Sequence, residues 1–341
     1  MPVNIRPRAG MNVPPEFLSA KLRGRRRRVY EGHRLRELAS CQSLEELSRR
    51  LYPRQPVMGR LGLERQLRQD CLDELDCFTY LLSDGPARFY SALLRRFQVD
   101  NILVLLRLFA GGKHEVSPER YVLRLPERMQ VPSGELLMSR DLDEFLAKLP
   151  KDLAAAAARA RDLGGGEDTT AFVEMALERA YWAQALEALR HLPIADSTAC
   201  AGPVLHELGA ARLLAVLRAG RHYELRWDRL QPLLPPSAED LAPRPALPTG
   251  DGQLRELHSD PSAAHLAAML RPVRPQEAQS LPDIEDRLWR ETFRIANRLY
   301  YAMAQGPAIL VSYFYVRRNE LRELTRLAES IHYGRPFRGD A

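Results

Sequence analysis

The sequence predicts an all-helical protein. Aliphatic residues recur at every third or fourth position in stretches such as "SLEELSRRLYP", "LERQLRQDCLDELDCFTYLL" and "IEDRLWRETFRIANRLYYAMAQ". This spacing is typical of amphipathic helices. Strand-like alternation is almost absent, because its best candidates, "RYVLRLP" (120–126) and "GELLM" (134–138), are short and lie in a proline-punctuated connector. Glycine and proline clusters at 110–112, 163–166 and 231–252 separate the helical stretches.

The first predicted helix carries the strongest charge cluster, "RGRRRR" (23–28), opposite a buried side that we assign to Leu22, Val29, Tyr30 and Leu35. A basic face of this kind suits solvent or an acidic protein partner, and nucleic-acid binding or nuclear import is the alternative. The run lacks the interleaved aromatic residues of a single-strand binding platform.

The overall charge is basic, with a formal net charge of +6 and an isoelectric point near 9.2. Nearly all the basic residues are arginine, and lysine occurs only at Lys21, Lys113, Lys148 and Lys151. Because the arginines are interleaved with carboxylates along the predicted helices, we interpret the charge as solvated helix faces and expect no nucleic-acid partner.

No motif for catalysis or cofactor binding is present: the sequence has no P-loop, GxSxG, HExxH or Rossmann fingerprint. The four cysteines, Cys41, Cys71, Cys77 and Cys200, form no CxxC pair and have no histidine at zinc-ligand spacing, which indicates reduced, buried thiols. We therefore predict no enzymatic activity, no cofactor and no metal site. The longest apolar runs, 102–110 and 308–316, fall short of the roughly 20 residues of a membrane span, so we expect no transmembrane helix.

A Gly-Pro pair occurs three times, at 85–86, 202–203 and 306–307, each time before a leucine-rich segment that ends in glycine. The repeated unit is an amphipathic helix, a Gly-Pro break and a helix pair. It predicts three similar helical domains, at 16–130, 131–256 (ending in a proline-rich linker) and 257–335. The alternative is coincidence among the 25 prolines.

The last of these segments is "GPAILVSYFYVRRNELRELTRLAESIHYG" (306–334). We predict that the apolar run 308–316 is the first helix of a pair, buried nearly all round, and that the charged segment is the second. A buried stripe on that second helix would hold Leu321, Leu324, Leu327 and Ile331. Its water-facing side would hold Arg322, Glu323, Arg326 and Glu329.

These segments resemble the C subunit, called d in eukaryotes, of the V-type and A-type rotary ATPases. The family's last domain reads as an apolar run ending in Tyr, followed by basic, acidic and aliphatic positions, and it is matched at Tyr313, Arg317, Glu320, Leu321, Leu324 and Leu327. The sequence departs from this pattern at Arg318, Glu323 and Thr325. An earlier family pattern is matched at Asn101, Ile102, Leu105, Leu106 and Arg107, and missed at Gln98, Leu103 and Phe109.

The resemblance implies an all-helical funnel of three similar domains around a pseudo-threefold axis. Such a subunit is peripheral, on the cytoplasmic face of the membrane, and performs no chemistry. One end sits on the rotor ring of proteolipid subunits, the other receives the central shaft of D and F subunits, and the protein transmits torque between them during proton or sodium transport.

For partner contacts we single out charged residues of the first helix and the last segment: Arg25, Arg26, Arg27, Arg28, Arg317, Arg318, Glu320 and Arg322. Two alternatives to the rotary adapter stay open. One is a basic all-helical nucleic-acid-binding protein, which would show salt-sensitive binding to DNA or RNA. The other is a helical scaffold or an enzyme whose site forms only in the tertiary structure, which would show a deep pocket of convergent carboxylates or histidines.

Overall fold

A computed structural model describes residues 13–164, 169–222, 227–236, 280–303, 305–337 and 339. All regular structure in these ranges is helical, which confirms the predicted class, and neither strand candidate forms a strand. The chain divides into two compact units, one of Met1–Leu137 with Asn297–Ala341 and one of Met138–Ala296. The three-domain division stays a prediction, and its boundary at 256/257 lies outside the described residues.

The α-helices of the described ranges are numbered in chain order. They are α1 (Pro15–Arg26), α2 (His33–Ala39), α3 (Leu44–Leu51), α4 (Arg60–Asp76), α5 (Asp84–Ala110), α6 (Ser133–Leu137), α7 (Leu142–Ala147), α8 (Lys151–Gly164), α9 (Thr169–Arg190), α10 (Ile194–His222), α11 (Trp227–Leu230), α12 (Leu281–Ala302) and α13 (Pro307–His332). Short 3₁₀ turns lie at Thr79–Leu81, Pro118–Arg120, Glu127–Met129 and Gln231–Leu233.

Ser43 and Glu46 have the spacing of a capping box, which predicts the start of a helix, and α3 begins there. The Ser43 hydroxyl accepts a hydrogen bond from the Glu46 amide at 3.1 Å, and the Glu46 carboxylate accepts one from the Gln42 amide at 2.9 Å. The two side chains therefore accept hydrogen bonds from backbone amides at the start of the helix. These amides have no partner within the helix itself.

The central element of the first unit is α13, which packs against α1, α3 and α4. Its first half is buried on all sides, from Ala308 to Val316, as the sequence predicts. Tyr313 meets Phe78 edge-on at 5.8 Å between ring centroids, and Phe314 meets Tyr90 at 6.4 Å. Its second half closes a core with α2, α3 and α4, and that core contains Leu35, Leu38, Cys41, Leu47, Leu63, Leu67, Leu324, Leu327 and Ala328.

The predicted helix pair within 306–334 is wrong, because α13 is one continuous helix. Gly306 precedes it with φ of +92°, a conformation that favours glycine, and Pro307 occupies the first helical position, where its missing N–H costs nothing. No glycine or proline follows before Gly334, and the buried stripe runs directly from the apolar run into Leu324 and Leu327. A single helix buries both halves without paying the entropy of a turn.

The other two Gly-Pro segments are also single helices. Gly85-Pro86 lies in the first turn of α5, and Gly202-Pro203 lies inside α10. A proline inside a helix costs about 3 kcal/mol. Cys200, Val204 and Leu208 are buried at four-residue spacing around it, and burying each such side chain contributes roughly 1.5–3 kcal/mol, which offsets that cost.

The first strand candidate, 120–126, lies in a connector without regular strand structure in the first unit. Three buried amide side chains of α4 and α5 bind its backbone. Asn101 donates to the Leu123 carbonyl at 2.8 Å and accepts from the Leu123 amide at 2.9 Å, and Gln69 forms the same pair with Arg124 at 3.0 and 2.9 Å. Gln98 donates to the Met129 carbonyl at 2.9 Å. Side chains thus supply the backbone hydrogen bonds that a neighbouring strand would otherwise supply.

The second unit has a core between α8, α9, α10 and the first part of α12. Trp182 and Tyr181 of α9 are fully buried and meet edge-on at 4.9 Å. Thr292 donates to the Leu288 carbonyl at 3.1 Å, so its hydroxyl oxygen accepts from Nδ1 of the buried His206 at 2.8 Å. This contact ties α10 to α12.

One described segment, Ile194–Ala219 in α10, is long and apolar enough to span a membrane by length and composition. It is longer than the apolar runs 102–110 and 308–316. Within the unit, 56% of its most apolar window is buried, as in the core helix of a globular protein, and it carries the buried polar side chains His206 and Glu207. These features favour a core helix, and the expected absence of a span stays a prediction.

The cysteines are all free, as the sequence predicts. Cys41, Cys71 and Cys200 are buried, whereas Cys77, for which the sequence also predicts burial, is only half-buried. Burial raises the pKa of the Cys71 thiol to about 11 and that of Cys200 to about 12, so both thiols stay protonated near neutral pH.

Replacing Asn101 tests the connector. Asn101→Leu leaves the buried amide and carbonyl of Leu123 without partners, and each such group costs about 1–3 kcal/mol. We expect the free energy of unfolding in urea to fall by roughly 2–4 kcal/mol. Gln55→Leu, at an exposed loop position, is the control and should stay within about 0.5 kcal/mol of the parent protein. Equal effects of the two substitutions would contradict this role of Asn101.

Candidate functional site

The eight predicted interface residues all belong to the first unit. Four lie at the end of α1 or directly after it, and four lie in the middle of α13. The structure brings part of these two groups together around a carboxylate that the sequence analysis did not identify, Glu74 of α4.

Glu74 is the common partner of α1 and α13. One carboxylate oxygen lies 3.1 Å from Nη2 of Arg317, and the other accepts a hydrogen bond of 2.6 Å from the Tyr313 hydroxyl and lies 3.9 Å from Nη1 of Arg25. Burial, together with the nearby Glu74 charge, raises the pKa of Tyr313, which therefore remains a hydrogen-bond donor. The C-terminal helix is thereby tied to α4 and, more loosely, to α1.

Glu320 holds the turn that follows α1. It pairs with Arg317 one helical turn away and accepts a hydrogen bond of 2.6 Å from the backbone amide of Tyr30. Its side chain is 4% exposed, so it lies inside the unit.

Glu323 is also buried, with Arg326 at 3.4 Å, so the prediction that it faces water is wrong. Neighbouring elements therefore cover Glu323, which the spacing of the isolated helix assigns to solvent, and Glu320, which the sequence analysis assigns to partner contacts. Leu324 and Leu327, by contrast, are buried as predicted.

Arg26 is turned into the unit and is 8% exposed. Its guanidinium donates to the Glu31 carboxylate at 2.9 and 2.6 Å and to the Asn297 side-chain oxygen at 2.9 Å. It also stacks over the rings of Tyr300 and Tyr301, at 5.2 and 5.9 Å from their centroids. Arg26 therefore joins the end of α1 to the end of α12.

The rest of the arginine run points outward. Arg27 and Arg28 are exposed, as is Arg23 earlier in α1, and none of the three forms an ion pair with a described residue. Arg25 is half-exposed beside Glu74. We call Arg23, Arg27 and Arg28 the exposed α1 arginines.

On α13, Arg318 lies over the rings of Phe314 and Tyr315, at 5.2 and 5.8 Å, and Arg322 is half-buried. The structure thus places Arg26 and Glu320 in the interior and Arg27 and Arg28 on the surface. The role of all eight residues in partner binding stays a prediction.

A sequence signal for Glu74 exists. Leu67, Cys71 and Glu74 are spaced at four and three residues, so the carboxylate continues the apolar stripe of α4, where an unpaired charge would be costly. The sequence carries no comparable signal for the two partners of Arg26. Asn297 is far from it in the chain, and Glu31 lies across the turn that follows α1.

The chemistry of this site is ion pairing. Within the described residues, no group of three or more His, Cys, Asp or Glu side chains could hold a metal ion. Tyr313, Arg317 and Glu320, at the matched positions of the last segment, all serve to hold helices together.

Among the described residues, the first unit is all-helical, with an ion-paired interior and exposed arginines at the end of α1. The sequence model of the ATP synthase (C/AC39) subunit family matches residues 18–337, and the chain belongs to this family. It is therefore of the V/A-type ATPase subunit class, whose family is structural and not itself catalytic, within a membrane-associated complex. No curated protein matches the sequence.

Removing one hydroxyl tests the tie at Glu74. Tyr313→Phe keeps the buried ring but removes the donor to the Glu74 carboxylate, and hydrogen bonds to charged groups contribute about 1.5–3 kcal/mol. We expect the free energy of unfolding in urea to fall by that amount. Tyr80→Phe, at a tyrosine that is 59% exposed, is the matched control and should have little effect.

A double-mutant cycle with Glu74→Gln then isolates the coupling between the two side chains. A coupling energy near zero would show that the hydroxyl and the carboxylate do not stabilise each other.

Proposed function

We propose that this protein is a non-catalytic central-stalk subunit of a V/A-type rotary ATPase. It couples the proteolipid ring in the membrane to the central shaft of D and F subunits, as a peripheral subunit on the cytoplasmic face. In this proposal the chain forms a funnel of three similar helical domains, 16–130, 131–256 and 257–335. Family membership over residues 18–337 supports this role.

The observation that carries the proposal is the way α13 is held. A coupling piece between two rotating parts must resist twisting, so its helices need contacts that cannot slide. An ion pair buried between helices has one good geometry, and breaking it leaves an unpaired charge, which costs about 3–5 kcal/mol. Glu74 supplies such a contact, largely buried, between α4 and α13 through Arg317. Glu320 of α13 adds a contact with the turn after α1, where it accepts a hydrogen bond from the Tyr30 amide.

The exposed α1 arginines supply a surface for partners. Because Arg27 and Arg28 have no described carboxylate partner, their charges remain available to an acidic surface on another subunit. Charges of this kind accelerate encounter and fix orientation more than they raise affinity. We include Arg25, Arg318 and Arg322 in the proposed contact region. We leave out the buried Arg26 and Glu320, and Arg317, which is paired with Glu74 and Glu320.

Purification from native membranes tests the role. We expect the tagged full-length chain to bring ring and shaft subunits with it, identified by mass spectrometry. The double variant Arg27→Glu/Arg28→Glu should weaken this capture about tenfold or more at low salt and less at high salt, because surface charges are screened. Arg54→Glu, at another exposed arginine, is the control. Recovery of the wild-type chain without any ATPase subunit would overturn the proposed function.

A further inference from the structure

Tyr301 is an exposed aromatic residue at the end of α12. Arg26 of α1 contacts this end of the helix. Tyr301 is 70% exposed, although large aromatic side chains usually lie inside. Its ring is nevertheless held in place: Tyr300 meets it edge-on at 5.5 Å, and the guanidinium of Arg26 lies 5.9 Å from its centroid. Arg26 is in turn fixed by Glu31 and Asn297.

Three further exposed arginines lie on the two chain segments that carry Arg26 and this tyrosine. Arg23 lies three residues before Arg26, and Arg27 lies one residue after it. Because Arg23 and Arg27 are four residues apart, they share one face at the end of the helix. Burial raises the pKa of Tyr300, and the charges of Arg26 and Arg23 oppose that rise, which is consistent with Arg23 lying near this pair of rings. On α12, Arg298 lies three residues before Tyr301 and is exposed. Within the described part of the chain, Arg23, Arg27 and Arg298 have no ion-pair partner.

We propose that Tyr301 is the anchor of a docking surface, formed with Arg23, Arg27 and Arg298, for an acidic and partly apolar surface of another subunit of the ATPase. The proposal rests on the proposed function and adds to it the residue that carries the binding energy. Tyrosine and arginine are the residues most enriched at interface hot spots, together with tryptophan. The excess of unpaired positive charge requires carboxylates on the partner.

The fixed ring favours a protein partner over a lipid surface. A side chain that is already held in one orientation loses little entropy on binding, and this advantage matters when the partner offers one pocket of fixed shape. A fluid membrane offers no such pocket. Guanidinium groups, moreover, match carboxylates with two parallel hydrogen bonds, which gives directional contacts with a protein surface.

The experiment uses the full-length chain and the capture of ring and shaft subunits described above. Tyr301→Ala should reduce the captured amount at fixed concentration about tenfold or more, as expected for a hot spot. Tyr301→Phe should retain capture within about threefold, because the aromatic face, and not the hydroxyl, fills the pocket in this proposal. Circular dichroism and thermal unfolding of each variant verify that the chain remains folded.

Tyr333 provides the matched control. It is 57% exposed in the same unit and is also flanked by arginines, with Arg60 at 5.9 Å and Arg335 at 5.6 Å from its ring centroid. Tyr333→Ala should leave capture unchanged, because the charge of Arg60 beside it is already paired with Glu64 and Glu329. An equal loss in Tyr301→Ala and Tyr333→Ala, or an equal loss in Tyr301→Phe and Tyr301→Ala, would overturn the proposal.

The outcomes separate the two proposals. If the wild-type chain captures no ATPase subunit, the proposed function fails. If it captures ring and shaft subunits and Tyr301→Ala captures them equally well, only the docking surface fails.

A second experiment measures binding to lipid vesicles by sedimentation, with phosphatidylglycerol vesicles compared with phosphatidylcholine vesicles. Binding to the anionic vesicles that depends on Tyr301, with unchanged subunit capture, would assign this surface to the membrane and overturn the protein partner.

Discussion

The organisation of the first unit depends on the carboxylate of Glu74. It lies between an arginine and a tyrosine of α13 and close to an arginine of α1, so one acidic side chain connects three helices that are far apart in sequence. Taking a carboxylate and a guanidinium out of water is costly, and only a close, well-oriented pair recovers that cost. The relative placement of α4 and α13 is therefore restricted to the geometry in which Glu74, Tyr313 and Arg317 meet.

The need of buried polar groups for partners also explains how the connector after α5 is held. Its backbone runs beside helices and has no neighbouring strand, so its amides and carbonyls need other partners. Asn101 and Gln69 provide a donor and an acceptor each, which is the pairing that a strand would offer. Gln98, where the sequence departs from the family pattern, still bonds the connector through Met129. Polar side chains within helices thus determine where an irregular segment lies.

The arginine run near the N-terminus serves two purposes. Helical periodicity directs Arg26 inward, where Glu31 and Asn297 bind it, and leaves Arg23 and Arg27 outside. The buried member stabilises the junction of α1 and α12, and the exposed members keep their charge at the surface. The proposed coupling role would use both properties, since a stiff junction would transmit force and an exposed basic surface would orient a neighbouring subunit.

The sequence alone determined the helical class, the cap at Ser43, the burial of 308–316 and the apolar stripe of Leu324 and Leu327. These features depend on local spacing and on the hydrophobicity of nearby residues, which a linear pattern records. It did not determine that 307–332 is one helix, or that Glu320, Glu323 and Arg26 are buried. Whether a charged residue on a helix faces water depends on which element covers it, and that element comes from a distant part of the chain. Only the tertiary structure places Glu74 beside Arg317 and Asn297 beside Arg26. These pairs form when helices pack, and their members are so far apart in the chain that the sequence carries no periodic signal for them.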